Sequence, residues 1–331
     1  MTNAGSFTLN GKAVLVTGGT GSFGQAFVRL LVEHFEPARI LVYSRDELKQ
    51  FEMDRNLDYP NLEFMIGDVR DAERIQRAIR GIDVVVHAAA LKQVPTAEQN
   101  PIETIKTNIL GAENVVNACL DSKVTNVIVL STDKAVNPVN LYGATKLCSD
   151  KLFVAANMLA GPEGTKFSVV RYGNVIGSRG SVIPFFKEQA RTGKLPITDE
   201  RMTRFWITLD QGVNFVAHCL DLMKGGEIFI PKLPSMKMVD LARAMGPDCE
   251  IEIIGIRPGE KLDEVMVPRD EARNTLEFDN YFIIQPDFLR KTNTDISYGR
   301  EKPRRVPEEF EYRSDTNEQW MTVEDFRHIV G

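Results

Sequence analysis

Between Ser131 and Lys146 the chain reads Ser-Thr-Asp-Lys-Ala-Val-Asn-Pro-Val-Asn-Leu-Tyr-Gly-Ala-Thr-Lys. Four proton-handling groups fall within that stretch: Asp133, Lys134, Tyr142 and Lys146. Tyr142 and Lys146 stand four residues apart at the start of a helical pattern, so they share a helix face. A free phenol titrates at about pH 10 and is a poor base at neutrality. A cation held beside it favours the phenolate and lowers that value. Ser131 or Thr132, at the end of an apolar strand over Asn126–Leu130, offers a hydroxyl to hold a substrate oxygen. Asp133 and Lys134 add an acid and an amine. Many helices carry the same Tyr–Lys spacing and do no chemistry. The pair acquires meaning if a dinucleotide site lies upstream.

Such a site is legible. Ala13-Val-Leu-Val-Thr17 is an apolar strand, followed at once by Gly18-Gly-Thr20-Gly21-Ser22-Phe23-Gly24 and then a helical pattern. Glycines let a backbone turn tightly against a pyrophosphate, and the helix start offers free N–H groups. After the second strand, Arg39–Tyr43, Ser44 and Arg45 stand where an NAD-preferring site would place an acid, with Lys49 a turn further on. A guanidinium there suits the 2′-phosphate of NADP. Asp46 and Glu47 open the next helix as cap and first-turn acids. Asp68 and Val69, at the end of a third strand, are placed to meet an adenine. Ala88 and Ala89, closing a fourth over 83–90, are small enough for close cofactor approach. His87 inside that apolar strand reads as a packed core histidine. Lys92 lies just past its carboxyl end, where ligands bind in such sheets.

The elements that position these groups alternate β and α as far as residue 175. The fold class is therefore α/β: a Rossmann-like doubly wound parallel sheet with a smaller C-terminal α/β substrate lobe. Residues 1–175 form the NADP lobe, with 205–230 returning to it. Residues 176–204 and 231–331 form the substrate lobe and tail. Within this plan, 101–122 reads as one long helix and 227–230 as a strand returning to the first sheet. The residues 257–261 read as a charged turn. The tail patch at Phe310–Arg313 and Trp320 reads as docking on the lobe or on another subunit.

The 331 residues carry a net charge of −6, which points away from a nucleic-acid partner. The four cysteines are scattered without a Cys-x-x-Cys, so they read as reduced thiols, and no metal site is expected. The first six residues show no leader signal. No apolar run approaches the roughly 18 residues of a membrane span. A cytoplasmic protein with no membrane partner is expected.

The combined motifs resemble the extended short-chain dehydrogenase/reductase superfamily. They resemble most closely the configuration-inverting UDP-N-acetylglucosamine 4,6-dehydratases that open pseudaminic acid synthesis for flagellin glycosylation. The likeness rests on Gly18–Gly24, Tyr43–Gln50, Gly67–Asp71, Ser131–Lys134, Tyr142–Lys146, Arg171–Ser181, Met202–Thr208 and Ile256–Lys261. It spans nearly the whole chain, least clearly after residue 290. Gln93 stands where a histidine is expected after Lys92, which bears on substrate preference.

The resemblance implies a hydro-lyase. Tyr142, helped by Lys146, takes the sugar 4-hydroxyl proton as hydride passes from C4 to NADP. A base then removes the C5 proton, the C6 hydroxyl leaves as water, and hydride returns to C6. Lys134 replaces the second member of the Asp–Glu pair of configuration-retaining relatives. It is assigned as the C5 base, which needs a pKa well below about 10.4. Asp133 is assigned to help the hydroxyl leave, and Thr132 to hold the substrate. Lys92, Asn174, Arg204, Arg257 and Glu260 are implied to line the UDP-sugar site, and inversion at C5 gives the L-arabino product. A homo-oligomer is implied, with a hexamer as the form to look for, passing product to a PLP-dependent aminotransferase. Two alternatives stand: a UDP-hexose 4-epimerase, which has no need of Asp133 and Lys134, and a non-catalytic NADP-sensing regulator of the same fold.

Overall fold

The structure, a computed structural model, describes residues 8–57, 59–290, 298–299 and 302–330. The first six residues, read above for a leader, lie outside them. Six strands form the parallel heart of the molecule: β1 (Ala13–Thr17), β2 (Arg39–Ser44), β3 (Leu62–Ile66), β4 (Val84–His87), β5 (Asn126–Thr132) and β6 (Lys166–Tyr172). β1 and β4 are buried along their whole length, and β2, β5 and β6 nearly so. Continuous apolar runs of this kind suit strands covered by helices on both faces.

Their order is β3-β2-β1-β4-β5-β6, reversing direction between β1 and β4. That reversal opens a crevice at the strand carboxyl ends. Ile228–Pro231 adds in parallel beside β6, as expected for the returning segment. Three antiparallel strands, Tyr281–Ile284, Thr275–Glu277 and Arg304–Arg305, then extend the sheet to ten. The large sheet thus takes strands from a stretch expected in the smaller lobe. Tyr281–Ile284 is buried at every residue and packs into the main core.

A second apolar cluster includes Ile183, Phe186, Leu195, Ile197, Trp206, Met236, Leu241 and Phe326. It is organised by Thr203–Ile207, the centre of a three-stranded sheet with Ser235–Lys237 and Asn174–Val175. The tail docks on the same chain. Tyr312 lies 4.7 Å from the Phe205 ring and 5.0 Å from Phe282, and its hydroxyl donates to the Leu233 carbonyl. Trp320 stays 43% exposed, its indole N–H donating to Asn317.

The expected helix over 101–122 is three pieces: Pro101–Ile105, a π-helical turn Lys106–Leu110, and Gly111–Leu120. The wide turn holds Asn108, which the structure uses as a cross-tie. Its amide donates to the Leu91 carbonyl (2.9 Å) and to Thr145 Oγ1 (3.0 Å), and its carbonyl accepts from Leu91 N (2.8 Å). Such π-turns recur at functional sites.

Candidate active site

One cleft of about 1080 Å³ runs along the crevice and over the carboxyl ends of β4, β5 and β6. At one end is the glycine turn. Gly18 has φ +65°, and a Cβ there would meet the Ala89 backbone at 2.9 Å, so only glycine fits against β4. Gly21 precedes the helix Ser22–His34 without a capping side chain, leaving its first N–H groups uncommitted to one. Arg45 is half exposed, with its guanidinium 3.5 Å from Asp68 Oδ2. Burial works against the Asp68 carboxylate, but Arg70 and Arg45 outweigh it and hold its pKa below the ordinary value. Asp46 caps the next helix by accepting from Lys49 N at 3.0 Å and pairs with the Lys49 ammonium.

At the other end, β5 runs straight into a 3-10 turn, Asp133–Ala135. Asn140 then caps the helix Leu141–Ala160 through Gly143 N (2.8 Å). A Cβ on Gly143 would fall 2.1 Å from the Lys134 carbonyl oxygen, so the helix start packs directly on that turn. This contact brings Tyr142 and Lys146 into the same cleft wall as Thr132 and Lys134. Ser131 is tied to Asp150 (2.6 Å), whereas Thr132 Oγ1 donates to Asp133 Oδ1 at 2.9 Å. Both hydroxyl candidates are thus engaged, Ser131 with Asp150 and Thr132 with the neighbouring Asp133.

Lys134 is the centre of a buried ion cluster. Its Nζ lies 3.0 Å from Asp133 Oδ1, 3.3 Å from Asn174 Oδ1 and 3.3 Å from Glu264 Oε1. Burial alone would depress its pKa, but the Asp133 and Glu264 carboxylates prevail and hold it above the ordinary lysine value. The expectation of a depressed lysine is thus corrected: Lys134 rests as an ammonium. Asp133 is pushed up, first by burial and then by the Glu264 charge. Glu264 is buried too, yet Lys134, Arg204 and Lys261 hold it down as a carboxylate. Tyr142 is pushed up to about 12 by burial, with Lys134 pulling the other way. Lys134 is thus a cation that eases the Tyr142 phenol. Lys146 is itself lowered by burial, against the pull of Asp150.

Most expected residues meet in this cleft. Gly18, Thr20, Gly21, Ser22, Phe23, Gly24, Ser44, Arg45, Lys49, Asp68, Val69, Ala88 and Ala89 line one end. Lys92, Thr132, Lys134, Tyr142, Lys146 and Asn174 line the other. Asp133, Arg204, Arg257 and Glu260 do not line it. Asp133 is fully buried behind Lys134. Arg204 spends its guanidinium on the carbonyls of Thr203, Lys261 and Leu262, so it braces the wall instead of facing a diphosphate. Arg257 is exposed and paired with Glu260 at 2.5 Å. The 257–261 turn instead acts as a clamp. Asn140 donates to its Gly259 carbonyl at 2.8 Å, and Lys261 Nζ donates to Val136 O at 2.5 Å. His87 is a core residue, 2.8 Å from Thr17 Oγ1, with its pKa driven down to about 3 by burial.

Sequence reasoning missed two groups, Glu264 and Arg179, and gave no structural role to Gln93. Glu264 carried no motif of its own. Arg179 sits in the Arg171–Ser181 segment quoted for the resemblance; its guanidinium donates to the Thr20 carbonyl (2.6 Å) and its backbone N–H to Ser22 Oγ (3.1 Å). Gln93 donates to the Gly180 carbonyl at 3.2 Å, tying that loop from the opposite side. The hydroxyls of Thr107 and Ser181 belong to cleft-lining residues and are buried without a protein partner.

A family description, polysaccharide biosynthesis protein, matches residues 14–286. The chain belongs to that family. It is 55% identical over 327 residues to a UDP-N-acetylglucosamine 4,6-dehydratase (inverting) of Campylobacter jejuni, covering 97% of this chain and 98% of that one. It is 42% identical over 297 residues to a UDP-glucose 4-epimerase of Rickettsia canadensis, covering 87% and 86%. Among solved structures, Pen from Bacillus thuringiensis matches with a TM-score of 0.89 at 36% identity, covering 98% of both chains. DesIV, a dTDP-glucose 4,6-dehydratase from Streptomyces venezuelae solved with NAD and TYD, matches with a TM-score of 0.67 at 25% identity, covering 76% and 86%. The dinucleotide-type lobe seen here is thus the fold of the family.

Proposed function

We propose that the protein is an NADP-dependent hydro-lyase that removes water across C5 and C6 of UDP-N-acetylglucosamine with inversion at C5. The observation that carries this reading is the Lys134 ammonium, set in the cleft wall with Tyr142, Lys146 and Thr132 and backed by two carboxylates. Redox at C4 alone needs only the Tyr–Lys pair. A proton-transfer group beside it serves an elimination.

The glycine turn, the uncapped helix start and the unpartnered Thr107 hydroxyl fit a dinucleotide, and Arg45 with Lys49 fits an added 2′-phosphate. NADP bound there would supply a hydride acceptor for C4 and a hydride donor for C6. Thr132 orients the sugar oxygen at C4, and Tyr142 takes the proton of that hydroxyl. Once C4 is a ketone, the C5 proton is acidic. Lys134 must be neutral to remove it. Asp133, whose proton affinity burial has raised, is the group 3.0 Å away that can receive the lysine proton. Lys134 then passes the C5 proton to the departing C6 hydroxyl, which leaves as water, and for inversion C5 regains a proton from a donor on the face opposite Lys134. The product is a 4-keto-6-deoxy sugar nucleotide of L-arabino configuration, a substrate for a PLP-dependent aminotransferase in pseudaminic acid-type synthesis.

A second reading, UDP-hexose 4-epimerase, is favoured by the Rickettsia relatives. Incubation with UDP-N-acetylglucosamine in heavy water separates the two. NMR of the fresh product should show a C6 methyl group, a C4 ketone, deuterium at C5 and an H5-region coupling pattern of the L series. A C4 epimer with an intact C6 hydroxyl would overturn the dehydratase reading. A D-configured product at the earliest time would overturn inversion alone.

A further inference from the structure

Glu264 reaches the site from late in the chain, just before the strand Val265–Val267. Its side chain is 2% exposed, and three cations surround it: Lys134 Nζ at 3.3 Å, Lys261 Nζ at 3.5 Å and Arg204 Nε at 3.7 Å. Each of the other two cations is anchored independently. Arg204 is fixed by three backbone carbonyls, and Lys261 by the Val136 carbonyl. Ser314 donates to Thr203 O and accepts from Glu264 N (2.9 Å), fixing the backbone beneath the carboxylate. The carboxylate is therefore held by Arg204 and Lys261 whether or not Lys134 is present.

We infer that Glu264 is a positioning residue of the reaction: a permanently charged anchor that holds Lys134 Nζ at the cleft wall and keeps the proton on it between turnovers. This rests on the dehydratase reading for its consequence, but not for its geometry. The two carboxylates around Lys134 have different surroundings. Glu264 faces three cations and stays an anion. Among the described residues Asp133 has Lys134 as its one ion-pair partner, accepts from Thr132 Oγ1, and is the carboxylate placed to exchange a proton with the lysine. Proton exchange between Lys134 and Asp133 then moves one proton and leaves the total charge of the cluster unchanged. Glu264 sets where that proton rests, and Arg204 and Lys261 prevent it from settling on Glu264. The other titratable group facing Lys134 is Tyr142, across the cleft wall.

The sign of the effect is fixed by the charge. Removing the Glu264 negative charge disfavours the ammonium, so Lys134 gives up its proton at lower pH. An opposite charge within about 4–6 Å is worth roughly one to three pKa units, and each unit is tenfold in amine fraction. The test uses the full-length protein with its native cofactor and competitive acetylation by acetic anhydride. Only the unprotonated amine reacts, and mass spectrometry reads Lys134 as a function of pH. In Glu264→Gln the half-labelling pH of Lys134 should fall by at least about one unit, and kcat should fall about tenfold or more because Nζ is no longer anchored at the cleft wall, a loss of position that outweighs the larger amine fraction. KM for UDP-N-acetylglucosamine and cofactor content should change less than about threefold. Glu264→Asp, which keeps the charge, should return both the labelling midpoint and kcat most of the way. An unchanged labelling midpoint in Glu264→Gln overturns the inference, as does equal loss of kcat in both variants with both midpoints unchanged. If Glu264→Gln fails to fold, Glu264→Asp decides alone: a midpoint displaced as far as in the unfolded chain overturns it, and retention near that of the parent supports it. A shifted midpoint in a protein that yields no dehydrated product sinks the dehydratase reading and leaves the anchor standing.

Discussion

The two ends of the cleft are built by different means. The dinucleotide end is organised around a local motif, with Arg179 added from 157 residues beyond Ser22. Gly18, Gly21 and Ser22 lie within five residues, and the ion pair of Asp46 with Lys49 spans three. Its selectivity is mainly backbone geometry, a glycine that no Cβ can replace and a helix start. The chemical end is assembled from afar. Lys134 meets Asn174, 40 residues on, and Glu264, while Lys261 reaches Val136 across 125. Its selectivity is electrostatic, set by which carboxylate is surrounded by cations. One end is a shape that a short string can specify. The other is a charge balance that exists only in the folded chain.

Substitutions should respond accordingly. The largest effect belongs to the chemical end. Tyr142→Phe should lower kcat by about 10³-fold or more while cofactor content and melting temperature stay at the parent values, since one hydroxyl is lost. Retention of most of kcat would remove Tyr142 from the chemistry. Next comes Lys134→Met, expected to cost about 10²-fold or more in kcat. The fold should survive, because Asp133, already biased toward its neutral acid, can take up a proton in place of the lost cation. Activity within about tenfold of the parent would make the ion cluster structural and erase the contrast between the ends.

At the dinucleotide end the effect should be on binding. Arg45→Asp should raise the Kd for NADP about 10- to 100-fold, or about 1.4–2.7 kcal/mol, and narrow the gap to NAD. Titration by protein fluorescence reads both. Equal affinities in the parent would show that the half-exposed Arg45 does not discriminate. The smallest effect is reserved for Arg257→Ala. Its partner is Glu260 and its side chain is largely in water, so KM for the sugar nucleotide should move less than about twofold. A rise of about tenfold would return Arg257 to the substrate site and move the boundary of the chemical end outward.

What could be read from the sequence follows the same division. β1 to β5 and the glycine turn were legible because buried parallel strands announce themselves as unbroken apolar runs. The Tyr142–Lys146 helix was legible because its cap and spacing are local. The charge state of Lys134 was not: a lysine next to an aspartate gives no hint of a second carboxylate 130 residues later (264 − 134). Arg204 and Arg257 were assigned to the ligand because arginines suit phosphates. In the fold Arg204 donates to backbone carbonyls, and Arg257 pairs with Glu260 at the surface. The π-turn at Lys106–Leu110 had no signal either, since it arises from Asn108 reaching two other elements.

The tie between Asn140 and Gly259 carries a consequence for how the protein comes into being. The bond joins residues 119 apart, and the neighbouring bond from Lys261 to Val136 joins residues 125 apart. Chains are made from the amino end, so the tyrosine of the cleft leaves the ribosome long before the segment that clamps its helix and neutralises its neighbouring cation. Contacts of such long sequence separation form late and slowly. The nucleotide pocket can take shape while synthesis continues, whereas the proton machinery is completed only when residues 257–264 arrive. A chain cut short before them would be born with a cradle and no working chemistry.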